Sequence, residues 1–253
     1  MSLGNAFAAE ILAEQGFDSL TVDMQHGMND IRDTIAVFQA VRASGAALMA
    51  RVPWLEPGII MKALDVGALG VICPMISNRE QAERLVSYMR YPPDGVRSYG
   101  PTRALISAGA DYASNANREV MSLAMVETLE GYEKIEEIVS TPELDGVYIG
   151  PSDLTIGLTN GRLPPGLDRE EDEMIAAIRH ILDASTRAGI LAGIHCGSPE
   201  YAARAIEWGF GLVTISADTG LLATAGRESV SRTRELIPGS ESSMPSAPTK
   251  SYY

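Results

Sequence analysis

The stretch "LDVGALGVICPM", residues 64–75, carries a helix end, a glycine and a buried strand in twelve positions. Up to Gly67 the chain continues an amphipathic helical pattern that begins near residue 57. From Leu69 it becomes an unbroken apolar run, too short for a helix and rich in β-branched residues. Gly67 stands where a helix wants a left-handed terminal residue. The same grammar repeats in both directions. Strands are expected at 19–24, 46–52, 69–76, 121–126, 146–150, 190–194 and 212–216. Helices are expected near 5–15, 30–44, 57–67, 78–90, 130–140, 170–188 and 199–208, with another after 220. Asn78 with Gln81 forms a relative of the capping box, and Ser198-Pro199 sets a hydroxyl cap ahead of a first-turn proline.

Strands that are apolar throughout, alternating with helices, imply a parallel sheet covered on its faces, either doubly wound or closed as a barrel. Seven βα units are legible, whereas a barrel needs eight. Only "MSLG" precedes the helix at 5–15, so the expectation is an α/β barrel whose first strand is missing or a stub. One barrel domain is expected over residues 1–237. The Ser/Pro-rich segment 238–253 is expected to be a disordered tail.

Bulk composition removes several functions. With 20 basic against 33 acidic residues the formal net charge is −13, which repels nucleic acid and anionic membranes. No apolar run approaches the roughly 20 residues of a membrane span, and a cytoplasmic protein is expected. Cys73 and Cys196 lack metal-motif spacing and read as reduced, buried thiols.

In a parallel barrel, chemistry gathers where strands finish. That rule singles out Asp23 and His26, then Arg51, Glu127 and Asp153. Glu127 and Asp153 lie one βα unit apart, and two hard oxygen ligands suit Mg²⁺ or Mn²⁺, with Co²⁺ a third candidate. Arg51 offers a planar cation to an anionic substrate, and His26 a proton carrier near neutral pH. Taken singly, each has a plain structural reading as a turn, cap or rim ion-pair residue. His195, ending "GIH", is placed for a site contact but has no assigned role. The segment 98–118 has the length and composition of an active-site loop.

Six segments in order, "GFDSLTVDMQHG", "RVPW", "LDVGALGVICPM", "YPPDGVRS", "MVET" and "DGVYIGPSDL", resemble the HpcH/HpaI aldolase family of metal-dependent pyruvate aldolases. The likeness spans about residues 4–236. It implies a (β/α)8 barrel whose C-terminal helix is exchanged between subunits of a hexamer or trimer. It also implies a reaction: reversible cleavage of a 4-hydroxy-2-oxo acid to pyruvate and an aldehyde. By that resemblance Glu127 and Asp153 hold the metal, Arg51 binds the enolate, and His26 with Asp23 forms the base. Asp65 assists the histidine, within or across a subunit boundary. The backbone amides of Ser152 and Asp153 receive the substrate carboxylate. No lysine stands at a strand end as a Schiff-base aldolase would need. The chain departs from the family in lacking a tryptophan-bearing first strand, in Gln25 where an acid is frequent, and in Ser152 where alanine is common. Alternatives of the same fold are a catalytically weak metabolite-binding or assembly subunit and an acyl-CoA lyase, though no added domain to grip coenzyme A is visible.

Overall fold

The computed structural model describes residues 1–238. The chain opens with α1 (Ala6–Ala13), β1 (Ser19–Asp23), α2 (Ile31–Val41), β2 (Ala47–Arg51), α3 (Pro57–Asp65), β3 (Gly70–Cys73) and α4 (Arg79–Met89). Two short helices, α5 (Ala104–Ala108) and α6 (Tyr112–Glu119), then lead into β4 (Met121–Val126). There follow α7 (Leu129–Glu133), α8 (Ile135–Val139), β5 (Gly146–Ile149), α9 (Pro151–Thr159), α10 (Asp172–Ala188), β6 (Leu191–Cys196), α11 (Pro199–Trp208), β7 (Leu212–Ile215) and α12 (Asp218–Glu235). The tail expected over 238–253 falls, beyond its first residue, outside the described residues.

The expected punctuation operates at the atomic level. Asn78 accepts the Gln81 N–H at 3.0 Å, and Gln81 returns its amide oxygen to Ser77 N–H at 2.7 Å, one residue earlier than a strict capping box. Ser198 accepts the Tyr201 N–H ahead of Pro199. Gly67 takes φ +105 at the end of α3, a conformation nearly closed to residues with a Cβ.

All seven strands are parallel and neighbour one another in chain order, β1 to β7. Strand residues therefore alternate between two cores. Outward-facing Val22, Ala50, Val71, Val126, Ile149 and Ile194 are fully buried under the helices, with Phe38, Ile60, Leu85 and Ile178 packed from above. Each buried valine, isoleucine, leucine or phenylalanine among them contributes about 1.5–3 kcal/mol by leaving water. A smaller inner core of Met49, Ile72, Leu123, Met125 and Tyr148 fills the concave side.

The seven strands read from the sequence form, with a stub in place of an eighth: among the described residues β1 and β7 are the edges of the sheet. The short segment ahead of α1 supplies one rung beside β1. The Met1 carbonyl accepts the Asp23 N–H at 3.0 Å, and the Met1 ammonium donates to the Thr21 carbonyl. Asp218, at the start of α12, accepts the Ser2 and Leu3 N–H groups at 2.7 and 3.0 Å. Below this rung a cleft of about 470 Å³ runs between the two edges into the concave interior. Along α12 only Asp218 is buried, and Leu222 and Val230 stand exposed. No helix of the described residues is long and apolar enough to cross a membrane.

Candidate active site

The strand ends set the site. β1 and β2 pair in register so that Asp23 stands beside Arg51, and both side chains are buried. Their ion pair is bidentate: Arg51 Nε donates to Asp23 Oδ1 at 2.9 Å and Nη2 to Oδ2 at 2.6 Å. This geometry fixes the plane of the guanidinium. Asp23 Oδ1 also accepts the backbone N–H groups of Gln25 and His26 at 3.0 and 3.2 Å. Asp23 thus orients Arg51 and shapes the turn that carries His26, whose side chain is exposed at the rim. The resemblance implied that Asp23 orients the imidazole of His26; the bonds above engage the His26 backbone.

Two strands on, Glu127 follows the last residue of β4 and is 2% exposed. The turn after β3 reaches across to it. Met75 adopts the left-handed φ of 59, costly for a side chain of its kind, and its N–H donates to Glu127 Oε1 at 2.9 Å. Gly150 makes room on the other side, since a Cβ there would lie 2.4 Å from Glu127 Oε2. Burial pushes the Glu127 carboxyl up to about 7; the Met75 N–H opposes this, the charge of Asp153 adds to it, and Arg51 opposes it. Asp153 itself is exposed in the first turn of α9, after Pro151. Beside it the Ser152 hydroxyl is buried and has no hydrogen-bond partner. A buried carboxylate poised to lose its proton, a second carboxylate close enough to raise it, and an orphaned hydroxyl make a hard-oxygen donor set, which fits a divalent cation. No group of three or more His, Cys, Asp or Glu side chains converges among the described residues, so further ligands would come from water and substrate, as Mg²⁺ commonly arranges.

His195, next to last in β6, sits on the inward parity and lines the cleft with Asp23 and Arg51. Burial, then the nearby Arg51 charge, lowers its pKa to about 4, against a smaller opposing pull from Asp23. Its ring is therefore neutral at ordinary pH. Tyr148 and Thr214 line the same cleft, Thr214 in register with His195, with their hydroxyls hydrogen-bonded to each other. The sequence reading missed both, although each sits two residues from a strand-end position on the inward face.

Chain direction decides the position of two further candidates. Asp65 is the last residue of α3, at the end where strands begin. There it pairs with buried Arg97 at 2.9 Å and its carbonyl accepts the Arg103 N–H. Within one chain it does not meet His26. The 98–118 segment joins α4 to β4 and so also lies at the strand-start end, not at the rim. Length and composition suggested a loop of the active site, but an αβ connection returns the chain to the opposite face.

Comparison with known proteins agrees with the geometry. The profile of the HpcH/HpaI aldolase/citrate lyase family matches residues 1–225. A hydroxypyruvate/pyruvate aldolase of Rhizorhabdus wittichii is 37% identical over 93% of this chain and 93% of its own. A 5-keto-4-deoxy-D-glucarate aldolase of Escherichia coli is 33% identical, covering 88% of this chain and 86% of its own. The crystal structure of an HpcH/HpaI aldolase/citrate lyase family protein from Burkholderia cenocepacia superposes with a TM-score of 0.85 at 33% identity, covering 92% of both chains. The chain belongs to the HpcH/HpaI aldolase/citrate lyase family, and aldolase relatives at this level make it a carbon–carbon lyase.

Proposed function

We propose that this family member is a divalent-metal-dependent pyruvate aldolase that cleaves 4-hydroxy-2-oxo acids to pyruvate and an aldehyde, and runs the addition in reverse. The observation that carries the reading is the buried Glu127 carboxyl, raised to about 7 by burial and by its neighbour Asp153. Such a group is costly in an empty site and is relieved by a cation. Glu127 and Asp153 would hold the ion, and a divalent cation there supplies Lewis-acid polarisation of the 2-oxo group.

The chain's own residues then have separate tasks. Arg51, fixed by Asp23, stabilises the negative charge that develops on the 2-oxo oxygen as the C3–C4 bond breaks. His26 takes the proton of the 4-hydroxyl, whose oxygen becomes the aldehyde carbonyl while the bonding pair stays on the pyruvate carbon. That carbon later accepts a proton to complete pyruvate. The amides of Ser152 and Asp153, at the N-terminus of α9, receive the substrate carboxylate, where the helix dipole favours an anion. Asp65 reaches a histidine only across a subunit boundary. The exposed apolar side chains Phe7, Ile11, Leu222 and Val230 support a homo-oligomer in which that could happen.

The test is pyruvate release from a panel of 4-hydroxy-2-oxo acids before and after EDTA treatment. Activity abolished by EDTA and restored by Mg²⁺, Mn²⁺ or Co²⁺ supports the reading. Turnover indifferent to chelation, or absent from metal-loaded enzyme on every substrate, overturns it.

A further inference from the structure

The turns that follow β3 and β4 are fastened to each other beside Glu127. Strand pairing ends with Cys73 opposite Ala124, but the contact between the two segments continues past it. Ile76 N–H donates to the Met125 carbonyl at 3.1 Å, and Met75 N–H donates to the Glu127 carboxylate. Next in line, the hydroxyls of Ser77 and Thr128 lie 2.7 Å apart. Ser77 is buried, and its own N–H donates to the Gln81 amide oxygen in the first turn of α4. A polar residue placed out of water is held by such bonds or costs stability.

The neighbours of the two hydroxyls give their bond a direction. Thr128 Oγ1 accepts the Gly131 N–H at 2.9 Å as the cap of α7, and Ser77 Oγ reaches the Met75 carbonyl at a longer 3.4 Å. Each hydroxyl has one proton to give. Only with Thr128 donating to Ser77, and Ser77 to Met75, are all three contacts made. A chain of bonds therefore runs from the start of α7 to the carbonyl of the residue whose N–H holds Glu127. Met75 is fastened on both sides, which its left-handed φ of 59 requires, since such a conformation persists where the surroundings over-determine it.

We infer that Ser77 and Thr128 are positioning residues, which hold the Met75 amide, and through it the Glu127 carboxylate, in place for a divalent cation. The inference rests on the aldolase reading above for the cation and adds two residues that act through Glu127. Groups that orient a metal ligand set its affinity as well as its geometry. A hydroxyl pair that served the fold alone would change stability and leave the ligand where it was.

The experiment measures Mn²⁺ affinity by electron paramagnetic resonance in wild type, Ser77→Ala, Thr128→Val and Thr128→Ser. Hydrogen exchange of the peptide containing Met75 is read by mass spectrometry on the same proteins without metal. Ser77→Ala, which leaves the Thr128 cap of α7 intact, is expected to weaken Mn²⁺ binding about tenfold and to speed exchange of that peptide. Thr128→Val does the same, and Thr128→Ser, which keeps the hydroxyl, restores both. Wild-type Mn²⁺ affinity in folded Ser77→Ala, whatever its stability, overturns the inference, as does an equal loss in Thr128→Ser and Thr128→Val. Failure of the parent reading looks different: wild type then binds no Mn²⁺, and exchange alone decides whether Ser77 holds the Met75 amide, an unaltered rate in Ser77→Ala overturning that too.

Discussion

The two ends of the sheet each bury arginine–carboxylate chemistry, yet they treat their carboxylates in opposite ways. At the strand-start end, Asp145 Oδ2 accepts from Arg90 Nη2 at 2.7 Å, from the Ser122 N–H at 2.7 Å and from the Ser122 hydroxyl at 2.8 Å. Arg90, 2% exposed, also donates to the Val120 carbonyl. Asp65 is likewise tied to Arg97, whose guanidinium stacks 4.4 Å from the Tyr91 ring. At the strand-finish end, Glu127 has one backbone donor, delivered by a residue in a strained conformation, and burial pushes its carboxyl up to about 7. The difference separates stability from function. A satisfied carboxylate holds elements together, whereas an unsatisfied buried one waits for something to bind.

That contrast can be broken most forcefully by deleting Glu127. Glu127→Ala, and Asp153→Ala beside it, are expected to lose Mn²⁺ binding and to lower kcat on the order of 10³-fold while the fold persists. Electron paramagnetic resonance titration and pyruvate release check both. Retained activity would move the site elsewhere. Arg90→Ala should do the reverse, costing about 3 kcal/mol of stability by leaving Asp145 without its cation, with the specific activity of the folded fraction unchanged. Denaturant titration alongside the assay measures this.

A pH experiment sharpens the comparison without mutation. The Glu127 carboxyl is raised from 4.5 to about 7 in the folded, metal-free chain. Between those values the folded state holds a proton that the unfolded state has released, so stability falls as pH rises from about 4.5 through 7. The loss is of the order of 3 kcal/mol. Melting temperature of EDTA-treated protein should fall across that window, and Mn²⁺ should cancel the slope. A flat metal-free profile contradicts the raised carboxyl. The smallest effect lies on the exposed surface, outside both carboxylate clusters. Arg79→Ala on α4 breaks an exposed pair with Glu83 and should change stability by less than about 0.5 kcal/mol.

The sequence was legible where local rules are strong. Helix ends at Gly67, Gly189 and Gly209 take positive φ as their positions required. The strand pattern gave seven parallel strands in chain order, and Glu127, Arg51 and Asp23 gather because strand ends converge. Other features depend on contacts between distant segments. Nothing in "CPMIS" announces that Met75 will turn left-handed to hold a glutamate 52 residues away. The bidentate use of Asp23 depends on strand register, which a pattern of apolar residues does not set to one position. The 98–118 segment was misplaced because composition speaks of a loop's exposure but not of which end of the sheet it occupies; counting strands and helices in alternation would have placed it.

The most direct measurement is an anomalous difference map from crystals grown with Mn²⁺ and pyruvate. The account predicts one peak bridging the Glu127 and Asp153 carboxylates, with the Arg51 guanidinium directed at the pyruvate keto oxygen. A peak bound elsewhere, or the two carboxylates turned apart with no peak between them at saturating Mn²⁺, would contradict it.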